Sequence, residues 1–176
     1  DHIFRWGLIS SLIRFLASPI PRMKGKTEVQ TAKEVLKRIR RGQNVCIFAE
    51  GIRTFSGETQ HIPESTGKLV KLSGAGLITY RIDGGYFTSP RWAKTLRRGF
   101  MSGRMVREYT PQELEKLSTE EINMIIRKDL YVNAFEEQKK NPVYYKGKRL
   151  AEMLEVALYM CPRCGRMDTL KSRDDR

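Results

Sequence analysis

Glu50-Gly51-Ile52-Arg53 places a carboxylate and a guanidinium on either side of a glycine turn. Arginine suits a phosphate, because its planar fork donates two parallel charge-assisted hydrogen bonds. The alternative for Glu50 and Arg53 is a plain ion pair that holds no ligand. A second chemical group is Cys161-Pro162-Arg163-Cys164-Gly165. Its spacing is that of a zinc-ribbon knuckle, in which paired thiolates bind Zn²⁺ tetrahedrally. A closed site needs two more ligands, and no further cysteine follows before Arg176. The expectation is half a ribbon, with Cys161 and Cys164 holding a structural Zn²⁺ once the other ligands are present. A redox dithiol has less support, since no thioredoxin-like βαβ pattern surrounds the pair.

The elements that must position these groups follow from apolar spacing. Val45-Cys46-Ile47-Phe48 reads as a short buried strand with Cys46 in the core, so Glu50 and Arg53 would sit at its C-terminal end. In open α/β folds ligands bind at that edge. Upstream, Val29, Ala32, Val35, Leu36 and Ile39 follow helical spacing from Thr27, with basic residues in the last turn and Gly42 as terminator. The segment 66–73 predicts a helix closed by Gly74, Leu77–Ile82 a second strand, and Gly99–Tyr109 an arginine-rich third. Thr110-Pro111-Gln112-Glu113 and Ser118-Thr119-Glu120-Glu121 have N-cap spacing, so the stretch to Lys140 should be helical with Ile122, Ile125, Ile126, Leu130 and Phe135 inward. A last helix is expected over Lys148–Tyr159. Ile3–Leu16 reads as a helix ended by Pro19 and Pro21, with core packing favoured over shallow membrane insertion.

Charge is unevenly placed. The 176 residues carry a net charge of +13, and residues 1–107 hold all of it, with 20 Lys/Arg against 7 Asp/Glu. Arg91, Lys94, Arg97, Arg98, Arg104 and Arg107 follow Gly84 with no acidic residue among them. Such a field attracts phosphorylated substrates, anionic membrane surfaces, acyl-carrier proteins or nucleic acid. The bland alternative is a solvated basic face. Hydrophobic residues at 40% and charged residues at 30% exclude a disordered chain. No apolar run approaches the roughly 18 residues of a spanning helix. The three cysteines make no disulfide framework, and point to a reducing, cytoplasmic compartment. The sequence opens on Asp1 rather than methionine and reads as an excerpt of a longer protein.

The block from Val45 through Glu58 resembles the phosphate-binding motif of the glycerolphosphate and lysophosphatidate acyltransferase family. That motif runs strand, Phe-Pro-Glu-Gly-Thr-Arg-Ser, two residues, Gly. Here Ala49 stands for the proline, Ile52 for the threonine and Thr54 for the serine, while Glu50, Gly51, Arg53 and Gly57 are kept. The resemblance covers roughly residues 1–85. Ile20-Pro21-Arg22-Met23-Lys24 stands where the family has a second phosphate-holding element, with Lys24 at its arginine position and Arg22 beside it. The family's later proline falls at Thr79. Its His-x4-Asp pair, the general base and its orienting acid, has no counterpart: Gly7 stands where the aspartate would follow His2, and Thr66 where it would follow His61.

The resemblance implies an enzyme of glycerolipid synthesis. It would transfer an acyl group from acyl-CoA or acyl-carrier protein to a lysophosphatidate-like acceptor, peripherally on the inner membrane face, with no cofactor for catalysis. Glu50, Gly51, Arg53, Thr54, Arg22 and Lys24 would hold the acceptor phosphate. The catalytic base would lie upstream of these residues. The expected fold is α/β, a mixed central sheet flanked by helices. Residues 1–109 would form the acyltransferase-like part, 110–160 a helical extension and 161–176 a partial zinc knuckle. The alternative is a basic nucleic-acid-binding module with a zinc knuckle and no enzymatic activity, although no nucleic-acid-reading signature accompanies the charge.

Overall fold

The computed structural model describes Ser11, Phe15, residues 18–20 and residues 28–176. Arg22, Lys24 and most of the expected first helix lie outside the described residues.

Apolar spacing produces helix α1, Glu28–Arg40, which buries Val35 and ends in the basic turn Lys37, Arg38 and Arg40. The Gly42 N–H then donates to the Ile39 carbonyl at 2.9 Å and stops the helix. Helix α2, Ser65–Ser73, leads into strand β1, Leu77–Asp83. A short helix α3, Gly85–Thr88, precedes strand β2, Ser102–Tyr109. The two strands pair antiparallel, with Leu77 opposite Tyr109 and a bulge after Thr79. Three helices follow: α4, Pro111–Glu115; α5, Thr119–Leu130; and α6, Ala134–Lys140. Both expected capping boxes form. The Thr110 N–H donates to Glu113 Oε2 at 2.7 Å, and the Ser118 N–H to Glu121 Oε2 at 2.7 Å.

One apolar cluster holds α2, α4, α5 and the sheet together: Ile62, Tyr109, Leu114, Ile122 and Ile126, with Val70 and Leu77 packed against them. It runs straight across the expected boundary at residue 109, so α4 and α5 are part of the same core rather than an extension of it. Fully burying each such aliphatic side chain is worth about 1.5–3 kcal/mol. Two polar groups, half-buried Asp129 and buried Asn123, tune the packing. Asp129 Oδ2 accepts from Thr79 Oγ1 and from the Tyr109 hydroxyl, both at 2.8 Å. Burial, then this hydrogen bond, push the Tyr109 pKa up. Asn123 on α5 accepts from the Gly67 N–H at 2.8 Å and donates to the Glu64 carbonyl at 2.9 Å. It thereby serves the first turn of α2, which has no side-chain cap of its own. A Cβ at Gly67 would stand 2.6 Å from Asn123, so only glycine permits this approach.

Three expectations are corrected. Val45–Phe48 is extended chain outside the sheet, and the only sheet among the described residues is the antiparallel pair β1–β2. Strand propensity measures fit to a pleated, half-buried surface. With no neighbour to pair with, Ile47 remains 47% and Phe48 78% exposed, and Cys46 is exposed rather than a core residue. The expected mixed central sheet is thus a two-stranded one. Lys148–Tyr159 is a series of turns with one short 3₁₀ turn, Leu154–Val156. Arg149 and Met153 have φ of 55° and 73°, which a right-handed helix cannot contain. Phe135 does not enter the main core. It is 49% exposed and packs edge-on against Phe87, with ring centroids 5.3 Å apart.

Candidate functional site

The loop 48–60 is folded by its own side chains. Gly51, at φ 69°, lets the chain reverse so that its N–H donates to the Phe48 carbonyl at 2.9 Å. Glu50 Oε2 accepts from the Gln60 N–H at 2.7 Å and so ties the two ends of the loop. Thr54 Oγ1 donates to the Glu58 carbonyl at 2.6 Å and accepts from the Gly57 N–H at 3.1 Å. The Gln60 amide donates to Ser56 Oγ at 3.1 Å and to the Glu58 carbonyl at 2.9 Å.

The base of the loop is fastened to the start of α6. The Thr59 N–H donates to the Val132 carbonyl at 2.9 Å, and the Ala134 N–H to the Gly57 carbonyl at 2.8 Å. Gly57 is buried against aromatic rings: a Cβ there would meet Tyr86 at 3.0 Å and Phe135 at 3.1 Å. A side chain there would force the rings or the loop to shift, and the φ of 85° adds backbone strain for any residue but glycine.

This frame holds Arg53 out. Its Nη1 donates to Ser89 Oγ at 2.8 Å and more weakly to the Ser89 carbonyl at 3.4 Å. The guanidinium makes no other hydrogen bond among the described residues and is exposed. Glu50 and Arg53 therefore do not form the ion pair weighed as the alternative; each has a different partner. Of the expected phosphate group, Arg22 and Lys24 lie outside the described residues; among the described ones Glu50, Gly51 and Thr54 build the loop, and Arg53 presents free donors. Ser89 was missed. It lies 36 residues from Arg53 in sequence, with no motif around it.

Ser89 also carries the chain into the basic segment. Pro90 beyond it is buried, and Arg91, Lys94 and Arg98 are exposed. Arg97 is committed internally: it lies over the Trp92 ring at 5.1 Å and donates to the Leu150 carbonyl at 2.8 Å. Burial lowers its pKa. A cleft of about 310 Å³ opens elsewhere, between the Asp83 end of the sheet and α6. Its principal charges are already paired, Asp83 with Arg81 at 3.2 Å and with Arg104 at 3.4 Å.

Comparison with protein-family models, with curated proteins and with solved structures returns no match. The geometry therefore carries the functional argument. No helix among the described residues is long and apolar enough to cross a membrane.

The two cysteines sit at the tip of a hairpin. The Asp168 N–H donates to the Tyr159 carbonyl at 3.1 Å, Met160 and Met167 form a bridge, and the Cys161 N–H donates to the Arg166 carbonyl at 2.9 Å. The Gly165 N–H then returns to the Cys161 carbonyl at 2.9 Å. Backbone N–H groups of Cys164 and Arg163 aimed at the Cys161 thiol lower its pKa. Two soft, clustered thiols fit Zn²⁺ as a partial donor set. Among the described residues, no group of three or more His, Cys, Asp or Glu is gathered that could hold a metal ion.

Proposed function

We propose that this chain carries the phosphate-holding part of a glycerolipid acyltransferase, and that the loop 48–60 binds a lysophosphatidate-like acceptor. The observation that supports this is the Arg53 guanidinium, oriented by Ser89 and otherwise without a hydrogen-bond partner among the described residues. In the reaction, a free hydroxyl of the acceptor attacks the carbonyl of an acyl thioester, from acyl-CoA or acyl-carrier protein. The hydroxyl proton passes to a base and the thiolate leaves. Arg53 acts on the phosphate, remote from the reacting bond, and fixes the hydroxyl in position. Arg91, Lys94 and Arg98 add a positive field that draws the anionic acceptor, or the anionic membrane containing it, to this face. Neither histidine of the chain has the family's spacing to an aspartate, so the base is assigned to no residue here.

The test compares binding of lysophosphatidate with that of a monoacylglycerol of the same chain length, both in neutral detergent micelles. The wild-type chain should prefer the phosphorylated lipid, and Arg53→Ala should cost about 1.5–3 kcal/mol, some ten- to hundredfold in Kd. Equal binding of the two lipids, or an unchanged preference in Arg53→Ala, would sink the reading.

A further inference from the structure

Residues 148–176 contain no buried side chain. They are held instead by single polar bonds. The Leu150 N–H donates to Asp175 Oδ1 at 2.7 Å, the Met153 N–H to Ser172 Oγ at 2.8 Å, and the Ala151 N–H to the Asp174 carbonyl at 3.0 Å. Ser172 in turn donates through its hydroxyl to Glu155 Oε2. Leu158, Tyr159, Met160 and Met167, in or beside the hairpin, are exposed by 45–67%, so no apolar cluster forms around its stem. The segment's ties to the rest of the chain are also polar: Thr95 Oγ1 donates to the Lys148 carbonyl at 3.0 Å and Arg97 to the Leu150 carbonyl at 2.8 Å, both at its first residues. Small segments without a core of their own commonly use a disulfide or a metal to hold one conformation.

The hairpin 159–168 supplies the means. Its backbone bonds bring Cys161 and Cys164 to one tip, and Gly165, at φ 68°, makes the reversal just after them. Cys164 is exposed and Cys161 half-buried, so both are open to an ion. Arg163 and Arg166 are exposed beside them, and their charge offsets that of thiolate ligands. A disulfide between the two would close only the tip and would leave the stem as it is. An ion with two further positions links the tip to other ligands.

We propose that Cys161 and Cys164 are two ligands of a Zn²⁺ ion that takes the place of an apolar core in residues 148–176, the other two positions being filled from outside the hairpin. Binding converts two thiols to thiolates and releases two protons to solvent; nothing is oxidised or reduced. The inference does not depend on the acyltransferase reading.

The experiment adds Co²⁺ to the fully reduced chain as a coloured probe, then Zn²⁺ in competition. Wild type and Cys46→Ser should develop a thiolate-to-cobalt charge-transfer band that Zn²⁺ removes, and Cys161→Ser and Cys164→Ser should lack it. X-ray absorption of the zinc form should then show Zn–S distances of about 2.3 Å. Two sulfurs with one ion per chain, or four sulfurs with one ion per two chains, both keep the pair as ligands. In hydrogen exchange, Zn²⁺ should slow the amides of residues 148–176 in wild type and leave them unchanged in the two serine variants. A missing band, a band that survives in both serine variants, or exchange in wild type indifferent to Zn²⁺ overturns the proposal.

Discussion

Residues 62–130 and residues 148–176 are both folded, but by different forces. The first region is closed by a shared apolar cluster in which Ile122 is 0% and Ile126 2% exposed. The second is closed by one-to-one polar bonds that involve Glu155, Ser172, Asp174 and Asp175, with no residue buried. Apolar burial is additive and tolerant, since every side chain of the cluster contributes to one pool of contacts. Exposed hydrogen bonds compete with water and contribute about 0.5–1.5 kcal/mol each. The first region should therefore unfold as one unit, and the second should open alone, well below the global transition.

The largest effect should come from Ile122→Ala, which removes the most deeply buried aliphatic side chain from the middle of the cluster. A loss of about 2–5 kcal/mol in a urea melt is expected. If the melt shifts no further than for an exposed residue such as Met124, the cluster is not the common support of α4, α5 and the sheet. Next is Asn123→Ala, which strands the Gly67 N–H and the Glu64 carbonyl in a closed interface. It should cost about 1–3 kcal/mol in the same melt. Ser172→Ala should leave the global midpoint almost unchanged while speeding amide exchange at Met153 and its neighbours. A large shift in the global midpoint would erase the distinction between the two regions.

The smallest effect is that of acid. The Ser172 hydrogen bonds hold the Glu155 pKa below the usual carboxylate range, and capping by Thr110 and Ser118 does the same for Glu113 and Glu121. A carboxylate with a depressed folded pKa contributes stability above its unfolded value of about 4.3, and that contribution fades as pH falls through the folded value. Residues 148–176, which have no burial to fall back on, should open first in that window. Exchange measured at pH 7 and again below pH 4 would show it, and simultaneous loss in both regions would count against it.

Much of the first region was legible in the sequence because its signals are local and repetitive. Thr110-Pro111 and Ser118 mark helix starts by chemistry contained within four residues, and both caps form as expected. Ile122 and Ile126 declare their inward faces by helical period alone. In the strand Leu77–Asp83 the apolar alternation points the other way: Ile78, Tyr80 and Ile82 are exposed, and Thr79 is the buried position. Val45–Phe48 misled because a strand is a property of two segments, and no sequence pattern shows that the second is missing. The loop was legible in part. Arg53 stood out by type, but its orienting partner Ser89 and the Glu50-to-Gln60 tie are contacts made only once the chain is folded. Residues 148–159 read as helical, while the left-handed turns at Arg149 and Met153 accompany hydrogen bonds of the Leu150 and Met153 N–H groups to Asp175 and Ser172, contacts no local pattern shows.

The contact between Gly67 and Asn123 also bears on the order in which the chain assembles. A nine-residue helix is too short to persist alone in water, and α2 lacks an N-terminal side-chain cap from its own flanking residues. Its missing partner arrives on α5, more than 50 residues later in the chain. Helix α5, longer and capped locally by Ser118 and Glu121, satisfies its first turn without a distant partner. The first turn of α2 therefore gains its partner only once α5 has been synthesised and docks, which ties completion of the N-terminal part of the core to a later part of the chain.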